Sequence, residues 1–502
     1  MNDTPTTPDQ VTLSDFRAAL QEFIQVVGKD WVYTSPEHLR PYQKIMLAND
    51  ATRFSPSAVI SPASVTEVQG ILAICNRYSI PVWPTSTGRN FGYGSSLPAT
   101  RGQLILDLKR MNRIIEVDAE LGTALVEPGV TYQQLQDYLK KHKLPLWLDF
   151  PGPGPIVGPL GNTLERGGGN TPYGDHFAHA CGMEVVLANG KILKTGMGSI
   201  PNTTSWQVFK YGYGPYLDGI FTQSNFGVVT KMGLWLMPEP AGYQTIMVQF
   251  DEAHLSEAVN IMRNLQLQRV VTNVGVMVSD VMAISTFMKR QDIYTGTGAV
   301  PRALIQEKAS AFGIADWNMT FTLYGTDAQI KPNLDIVNAA FKPIEARINP
   351  DFHDGSQVNE LSLNSFGILN WIGGGGLAWF APVAPAKGQD AVKQAAMARR
   401  ILGQYGFDYL AAPTLNGRDL HHLIAIVHNH NDAQQKARAA ACFEQLVTEF
   451  SAEGYGLYRV GIDFMDKLAD IYGETNREVN RAIKQALDPN GILAPGKSGI
   501  RL

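Results

Sequence analysis

Three polar, glycine-spaced clusters are the parts of this chain whose residue types can do chemistry. The first holds Thr85, Ser86, Thr87, Gly88, Arg89 and Asn90, followed by Gly92 and Gly94, after a short apolar run. Successive backbone N–H groups converge on an anion only where no Cβ blocks the approach and φ can turn positive, so this loop is suited to a pyrophosphate. The second runs from Gly161, Asn162, Thr163, Leu164 and Glu165 through Gly167, Gly168 and Gly169 to Tyr173, Gly174 and His176. The third is Ser224, Asn225, Phe226 and Gly227, ahead of an apolar run containing Val229. One such loop alone is an ordinary surface turn. Three at strand edges supply the separated backbone approaches, hydroxyls and amides that a flat ring system with a diphosphate tail requires. The chain therefore reads as a nucleotide-cofactor protein. Residues 373–378 match the Ala form of Gly-x-Gly-x-x-Gly but lack a strand-then-helix context and an acidic residue downstream, which disfavours a nicotinamide Rossmann domain.

The clusters need elements to carry them. Ser64 and Glu67 form a capping box ahead of Val65, Val68, Ile71, Leu72 and Cys75 on one helical face, and a strand predicted over 80–83 then delivers the first loop. Residues 104–108, 114–117 and 123–127 read as strands. After Pro128 and Gly129, Thr131 and Gln134 cap a helix that buries Leu135 and Leu139. Asn189 and Gly190 predict a hairpin between 184–187 and 191–194, and 228–237 is a long strand ended by Pro238. Beyond 238–242, helices over 252–265 and 390–405 alternate with strands such as 319–324. The last stretch returns to short glycine-punctuated elements and is expected to fold back onto the first region. The expected division is 1–240, 241–454 and 455–502.

At 502 residues the chain exceeds what one core holds, so two domains with a crevice between them are expected. A net charge of −4 with scattered Lys and Arg excludes a nucleic-acid face. Residues 1–16 are polar, without the basic start and apolar run of an export signal, which points to the cytoplasm. No window reaches the roughly twenty apolar residues of a membrane helix. Cys75, Cys181 and Cys442 lie far apart in apolar contexts, the pattern of reduced core thiols, and no metal site is expected.

The first loop, the 161–176 stretch, 224–230 and a tail running from Tyr455, Gly456, Leu457, Tyr458 and Arg459 through Lys497 closely resemble the vanillyl-alcohol oxidase and p-cresol methylhydroxylase family of flavoproteins. The resemblance implies an α+β, two-domain flavoprotein. Its FAD-binding domain combines the N-terminal half with the C-terminal tail, and an α+β cap domain is built on an antiparallel sheet. It implies FAD contacts at Thr85, Ser86, Thr87, Gly88, Arg89, Asn90, Gly94, Gly161, Asn162, Thr163, Gly167, Tyr173, Gly174, Asn225, Gly227, Val229 and Lys497. The family oxidises para-substituted phenols at the benzylic carbon, and it holds the phenol oxygen between two tyrosines and an arginine, here Tyr93, Tyr458 and Arg459. An arginine charge and two hydroxyl donors favour the phenolate. A phenolate pushes electrons through its ring, so hydride loss to flavin N5 leaves a p-quinone methide. Molecular oxygen or a cytochrome-type acceptor and a homodimer complete what the resemblance implies.

The chain also departs from the family pattern. Relatives link FAD through a histidine or tyrosine of the cap, yet Leu377 stands near that position. No histidine falls between His353 and His421 and no tyrosine between Tyr324 and Tyr405. The helper histidine is missing too, since none lies between His38 and His142, so noncovalent FAD is expected. Where relatives place an aspartate near flavin N5 the chain has Gly152 or Pro153, with Asp149 upstream as a candidate base or a structural carboxylate. His421 and His422 follow Arg418 and Asp419; one of them could stabilise reduced flavin or bind substrate, or both could be buried structural groups. Asn170 replaces a common tyrosine. Two other readings stay open: the same fold acting on a 2-hydroxy acid or sugar alcohol, with Arg459 clamping a carboxylate, and a flavin-binding protein impaired in catalysis.

Overall fold

The computed structural model describes residues 7–152, 154–352 and 366–502. Helix Val65–Tyr78 starts where its cap dictates. Ser64 Oγ accepts from Glu67 N at 3.2 Å, and the Glu67 carboxylate reaches back to Ala63 N at 2.7 Å, one residue earlier than a standard box. Val68, Ile71, Leu72 and Cys75 are buried in one cluster with Phe16, Ala19 and Phe23 of helix Leu13–Val27. Ser79 closes the helix at a left-handed φ of 53°, and Ile80 N donates back to Cys75 O at 2.9 Å. That return uses up Ile80 and Pro81, so the strand expected over 80–83 occupies Val82–Thr85 instead. It joins a four-stranded sheet in the order Val32–Tyr33, Val59–Ile60, Leu104–Asp107, Val82–Thr85, whose last two pairings are parallel.

A five-stranded antiparallel sheet carries the other two clusters. Its order is Ile114–Asp118, Thr123–Val126, Val228–Trp235, Ala180–Val186, Ile192–Lys194. The Asn189 and Gly190 hairpin forms as expected, closed by Leu187 N to Lys191 O at 2.9 Å. The box on helix Tyr132–Lys141 is complete, with Thr131 and Gln134 capping each other's backbone.

Among the described residues the second region is built on an antiparallel sheet of eight strands, from Tyr243–Phe250 through Asp419–His428. Helices Leu255–Leu267, Gly388–Gln404 and Ala433–Ala452 share a core with it through Ala258, Met262, Ala395, Leu402, Leu446 and Phe450. The helix expected over 252–265 begins with a 3-10 turn at Glu252–His254, because His254 N donates to Asp251 O before the α pattern starts.

The tail then returns. Ala494 N donates to Val82 O and Val82 N to Ile492 O, each at 2.8 Å, so the tail lies along the strand that delivers the first loop. A fully buried ion pair locks it: Lys484 Nζ meets Asp488 Oδ2 at 2.7 Å, and also donates to Leu493 O at 2.6 Å and Asn225 O at 2.9 Å. Asp488 accepts in turn from Ile492 N and Leu493 N. Burial depresses the Lys484 pKa, and Asp488 opposes that. Removing one partner strands the other charge, so Lys484→Met is expected to lower the unfolding free energy by about 3–5 kcal/mol. The urea midpoint measures this, and an unchanged midpoint would show that the pair does not hold the tail.

Candidate active site

A cavity of about 410 Å³ opens where the first region, the tail and the antiparallel sheet meet. The loop after strand Val82–Thr85 forms one wall and helix Pro159–Leu164 another. They lie flush because Gly161 has no side chain; a Cβ there would sit 2.8 Å from Ser86 Cβ. Gly88 takes a φ of 68°, and a Cβ there would strike Ser96 Oγ. Tyr458, Arg459, Ile462, Met465 and Lys497 come from the tail, and Phe366, Trp379 and Leu423 from the second region.

Arg459 is the centre of the arrangement. Its Cζ lies 4.2 Å from the Tyr93 ring centroid, Nη2 donates to Asn90 Oδ1, and Nε is 3.9 Å from Glu165 Oε2. Tyr458 stacks on His421 with ring centroids 4.9 Å apart and planes 24° from parallel, and its carbonyl accepts from Gln223 Nε2 at 2.9 Å. Burial above all, then Tyr458, pushes the Tyr93 hydroxyl well above its ordinary pKa against the opposing charge of Arg459. Tyr93 is therefore a protonated donor.

Among the sequence-predicted cofactor residues, Thr85, Ser86, Thr87, Gly88, Arg89, Asn90, Gly161, Asn162, Gly167, Gly227, Val229 and Lys497 line the cavity. Five others do not, among the described residues. Gly94 packs on Ile462, and Thr163 is buried in its short helix. Tyr173 stacks on His179 at 4.2 Å, and the Gly174 carbonyl accepts from Gly169 N at 3.0 Å. Asn225 donates to the Ala494 and Ile500 carbonyls at 3.0 and 3.1 Å, so its amide ties down the tail.

Asp149 is not brought to the cavity. Its Oδ1 accepts from Asn170 N at 2.9 Å and its Oδ2 from Thr171 N and Oγ1 at 2.9 and 2.6 Å, while His176 Nε2 lies 3.7 Å away. Burial raises its pKa, but His176 and Thr171 outweigh that and hold it below the usual range. It anchors the loop at Asn170 and Thr171. Strand alternation separates the histidine pair. His421, within 3.4 Å of Asp419 Oδ1, sits beside Tyr458, and burial lowers its pKa against Asp419. His422 is buried in the core, with Nε2 at 2.6 Å from Tyr409 OH and Nδ1 at 3.1 Å from Gln394 Oε1, and burial pushes its pKa down to about 3. Leu377 is buried with Ile368, Trp371 and Val427, while Trp379 on the same strand lines the cavity. Gly152 lines it without a side chain; Pro153 and His353 lie outside the described residues.

Sequence reasoning passed over Glu165 and Gln223, polar residues inside or beside quoted clusters, and Trp379 and Leu423, whose placement emerges only from strand register.

The cavity fits FAD. Thr85 Oγ1, Ser224 Oγ and Arg459 Nε are buried without a hydrogen-bond partner, and each belongs to a lining residue. Such atoms cost about 1–3 kcal/mol each unless a bound group satisfies them. Among the described residues no group of His, Cys, Asp and Glu is arranged to hold a metal, and no helix is long and apolar enough to cross a membrane.

Fold and site together define a flavin-dependent oxidoreductase. Residues 56–196 match the FAD binding domain family and 393–498 the C-terminal domain of FAD linked oxidases. The chain is 46% identical to the 4-cresol dehydrogenase [hydroxylating] flavoprotein subunit of Pseudomonas putida, over 99% of this chain and 98% of the relative. It superposes on a p-cresol methylhydroxylase crystal structure with substrate bound at a TM-score of 0.97, 45% identity and 99% coverage of both chains. For a 4-ethylphenol oxidase from Gulosibacter chungangensis in complex with isoeugenol, the TM-score is 0.95 at 33% identity and 99% coverage of both. The chain belongs to the vanillyl-alcohol oxidase and p-cresol methylhydroxylase family of flavoproteins.

Because Asp149 anchors the 169–174 loop, Asp149→Asn is expected to destabilise the protein by about 1–3 kcal/mol and to leave turnover per folded, flavin-loaded molecule within severalfold. Its stabilising effect is present above the unfolded carboxylate pKa and fades as pH falls through the lower folded value. Thermal melts across pH beside turnover on flavin-normalised protein check this; lost turnover at unchanged stability would restore the base reading.

Proposed function

We propose that this protein oxidises para-alkylphenols at the benzylic carbon, with FAD as the electron acceptor. The observation that carries the reading is the Arg459 guanidinium stacked over Tyr93 beside Tyr458 in a cavity walled by the glycine loops. The named relatives act on 4-cresol, p-cresol and 4-ethylphenol. FAD would be held by Thr85, Ser86, Thr87, Gly88, Asn90, Gly161 and Gly227, while Lys497 is paired with Glu165. When bound it supplies, at N5, the acceptor for a hydride. Tyr93 and Tyr458 donate to the phenol oxygen and Arg459 stabilises its negative charge, so the substrate is held as phenolate. Electron release from that oxygen lets the benzylic carbon give up a hydride and leaves a neutral p-quinone methide. Phe91, Phe366, Trp379 and Leu423 supply apolar surface that excludes water.

A carboxylate-clamping role for Arg459 is disfavoured by geometry. One N–H of Nη2 is taken by Asn90, and the edge that carries Nε has the Glu165 carboxylate 3.9 Å away, which repels a second carboxylate. The division into 1–240, 241–454 and 455–502 is supported by the sheet that opens at Tyr243 and by the tail's bonds to Val82.

The reading is tested by anaerobic addition of 4-ethylphenol or lactate to the holoenzyme. The phenol should bleach the flavin and lactate should not; the reverse would overturn it. Arg459→Met is expected to lower kcat/KM for 4-ethylphenol about 100-fold or more, as loss of one charge-stabilising donor does elsewhere. We further propose that FAD is bound noncovalently, because the stretch around Leu377 holds no histidine between His353 and His421 and no tyrosine between Tyr324 and Tyr405. Acid precipitation should release the yellow chromophore into the supernatant, and colour retained in the pellet would refute this. Peroxide formed per substrate oxidised decides between oxygen and a cytochrome-type acceptor.

A further inference from the structure

Glu165 lines the cavity yet carries the wrong sign for an anion site. Its carboxylate is shared by both tail cations: Oε1 pairs with Lys497 Nζ, and Oε2 lies 3.9 Å from Arg459 Nε. The three side chains are 24, 9 and 12% exposed for Glu165, Lys497 and Arg459. Burial pushes the Glu165 carboxyl up, but Lys497 and Arg459, helped by Arg166, outweigh burial and hold it below the usual carboxylate range. It is ionised at neutral pH. Tyr93 also feels its charge and stays protonated. Exposed Arg166 is screened by solvent. Two buried cations and one carboxylate leave one positive charge unmatched.

We propose that Glu165 is a positioning residue that sets the phenol end of the cavity to accept a single negative charge. It neutralises Lys497, flanks Arg459 without hydrogen-bonding Nε, and leaves that guanidinium as the cation for one phenolate oxygen. The inference rests on the phenolate reading given above. Without Glu165, Lys497 becomes a second free cation that grips any phenolate, product as firmly as substrate, and such uniform binding does not speed the chemical step. A purely structural Glu165–Lys497 pair would behave differently: loss of either partner would loosen the tail in the same way.

The two roles separate by sign. The holoenzyme is titrated with 4-nitrophenol, which has no benzylic hydrogen and turns yellow on ionising, and absorbance is read as the difference from ligand-free holoenzyme. In the wild type the bound ligand is expected to ionise at lower pH than the free ligand. Glu165→Gln should move the midpoint down by about one further pH unit and Lys497→Met should move it up by a similar amount. The double variant should return close to the wild-type midpoint, and Glu165→Asp, which keeps the charge, should stay there. Midpoints that move together, or not at all, in variants that retain flavin absorbance would overturn the proposal. If Glu165→Gln fails to hold flavin, Lys497→Met and Glu165→Asp decide it: an upward shift in the first with none in the second supports the proposal, and an unmoved Lys497→Met midpoint overturns it. A wild-type midpoint at the free ligand's value would contradict the phenolate reading itself, and this inference with it.

Discussion

A guanidinium held away from water has to be matched, and the rest of this structure follows from how Arg459 is matched. Burying an unpaired charge is prohibitive, so the cation needs partners that do not cancel it completely. Asn90 supplies one hydrogen bond, the Tyr93 face a cation–π contact at 4.2 Å, and Glu165 a carboxylate at 3.9 Å that is already paired with Lys497. Each partner is strong enough to fix the side chain, and none removes its charge. The result is a fixed positive site beside two phenolic hydroxyls, preorganised before any substrate arrives.

That site joins parts of the chain 369 residues apart, from Asn90 to Arg459. Such a junction forms only if the tail returns, and the tail is over-determined at several points. Lys484 and Asp488 bury a full ion pair while serving the backbone of 492–493, Asn225 clamps two tail carbonyls, and Val82 pairs with Ile492 and Ala494. The long second region between 243 and 428 contributes mostly apolar wall, through Trp379 and Leu423. The polar chemistry and the water exclusion thus come from different parts of the chain.

The first glycine loop was legible because its requirement is local: small residues with positive φ are visible one at a time. The hairpin at Asn189 and the cap at Thr131 were legible for the same reason. Tyr458 and Arg459 carried no local signal and were found only through the resemblance, since an exposed tyrosine and a surface arginine read identically. His421 and His422 looked equivalent until strand alternation sent one toward Tyr458 and the other into the core beside Tyr409. Asp149 stayed open between a base and a structural carboxylate because hydrogen bonds from Asn170 and Thr171 cannot be read from sequence. Asn225 and Tyr173 belong to the right motifs but face the tail and His179, so motif membership did not decide lining.

The claim at the centre is that the substrate is held as an oxygen anion at Arg459. Anaerobic flavin bleaching by 4-ethylphenol and by its O-methyl ether, which is one methyl larger at the oxygen and cannot ionise, tests it most directly. Retention of the anion by Tyr93, Tyr458 and Arg459 requires that the phenol bleach the flavin and the ether leave it yellow. Equal bleaching rates for the two would show that ionisation of the oxygen plays no part.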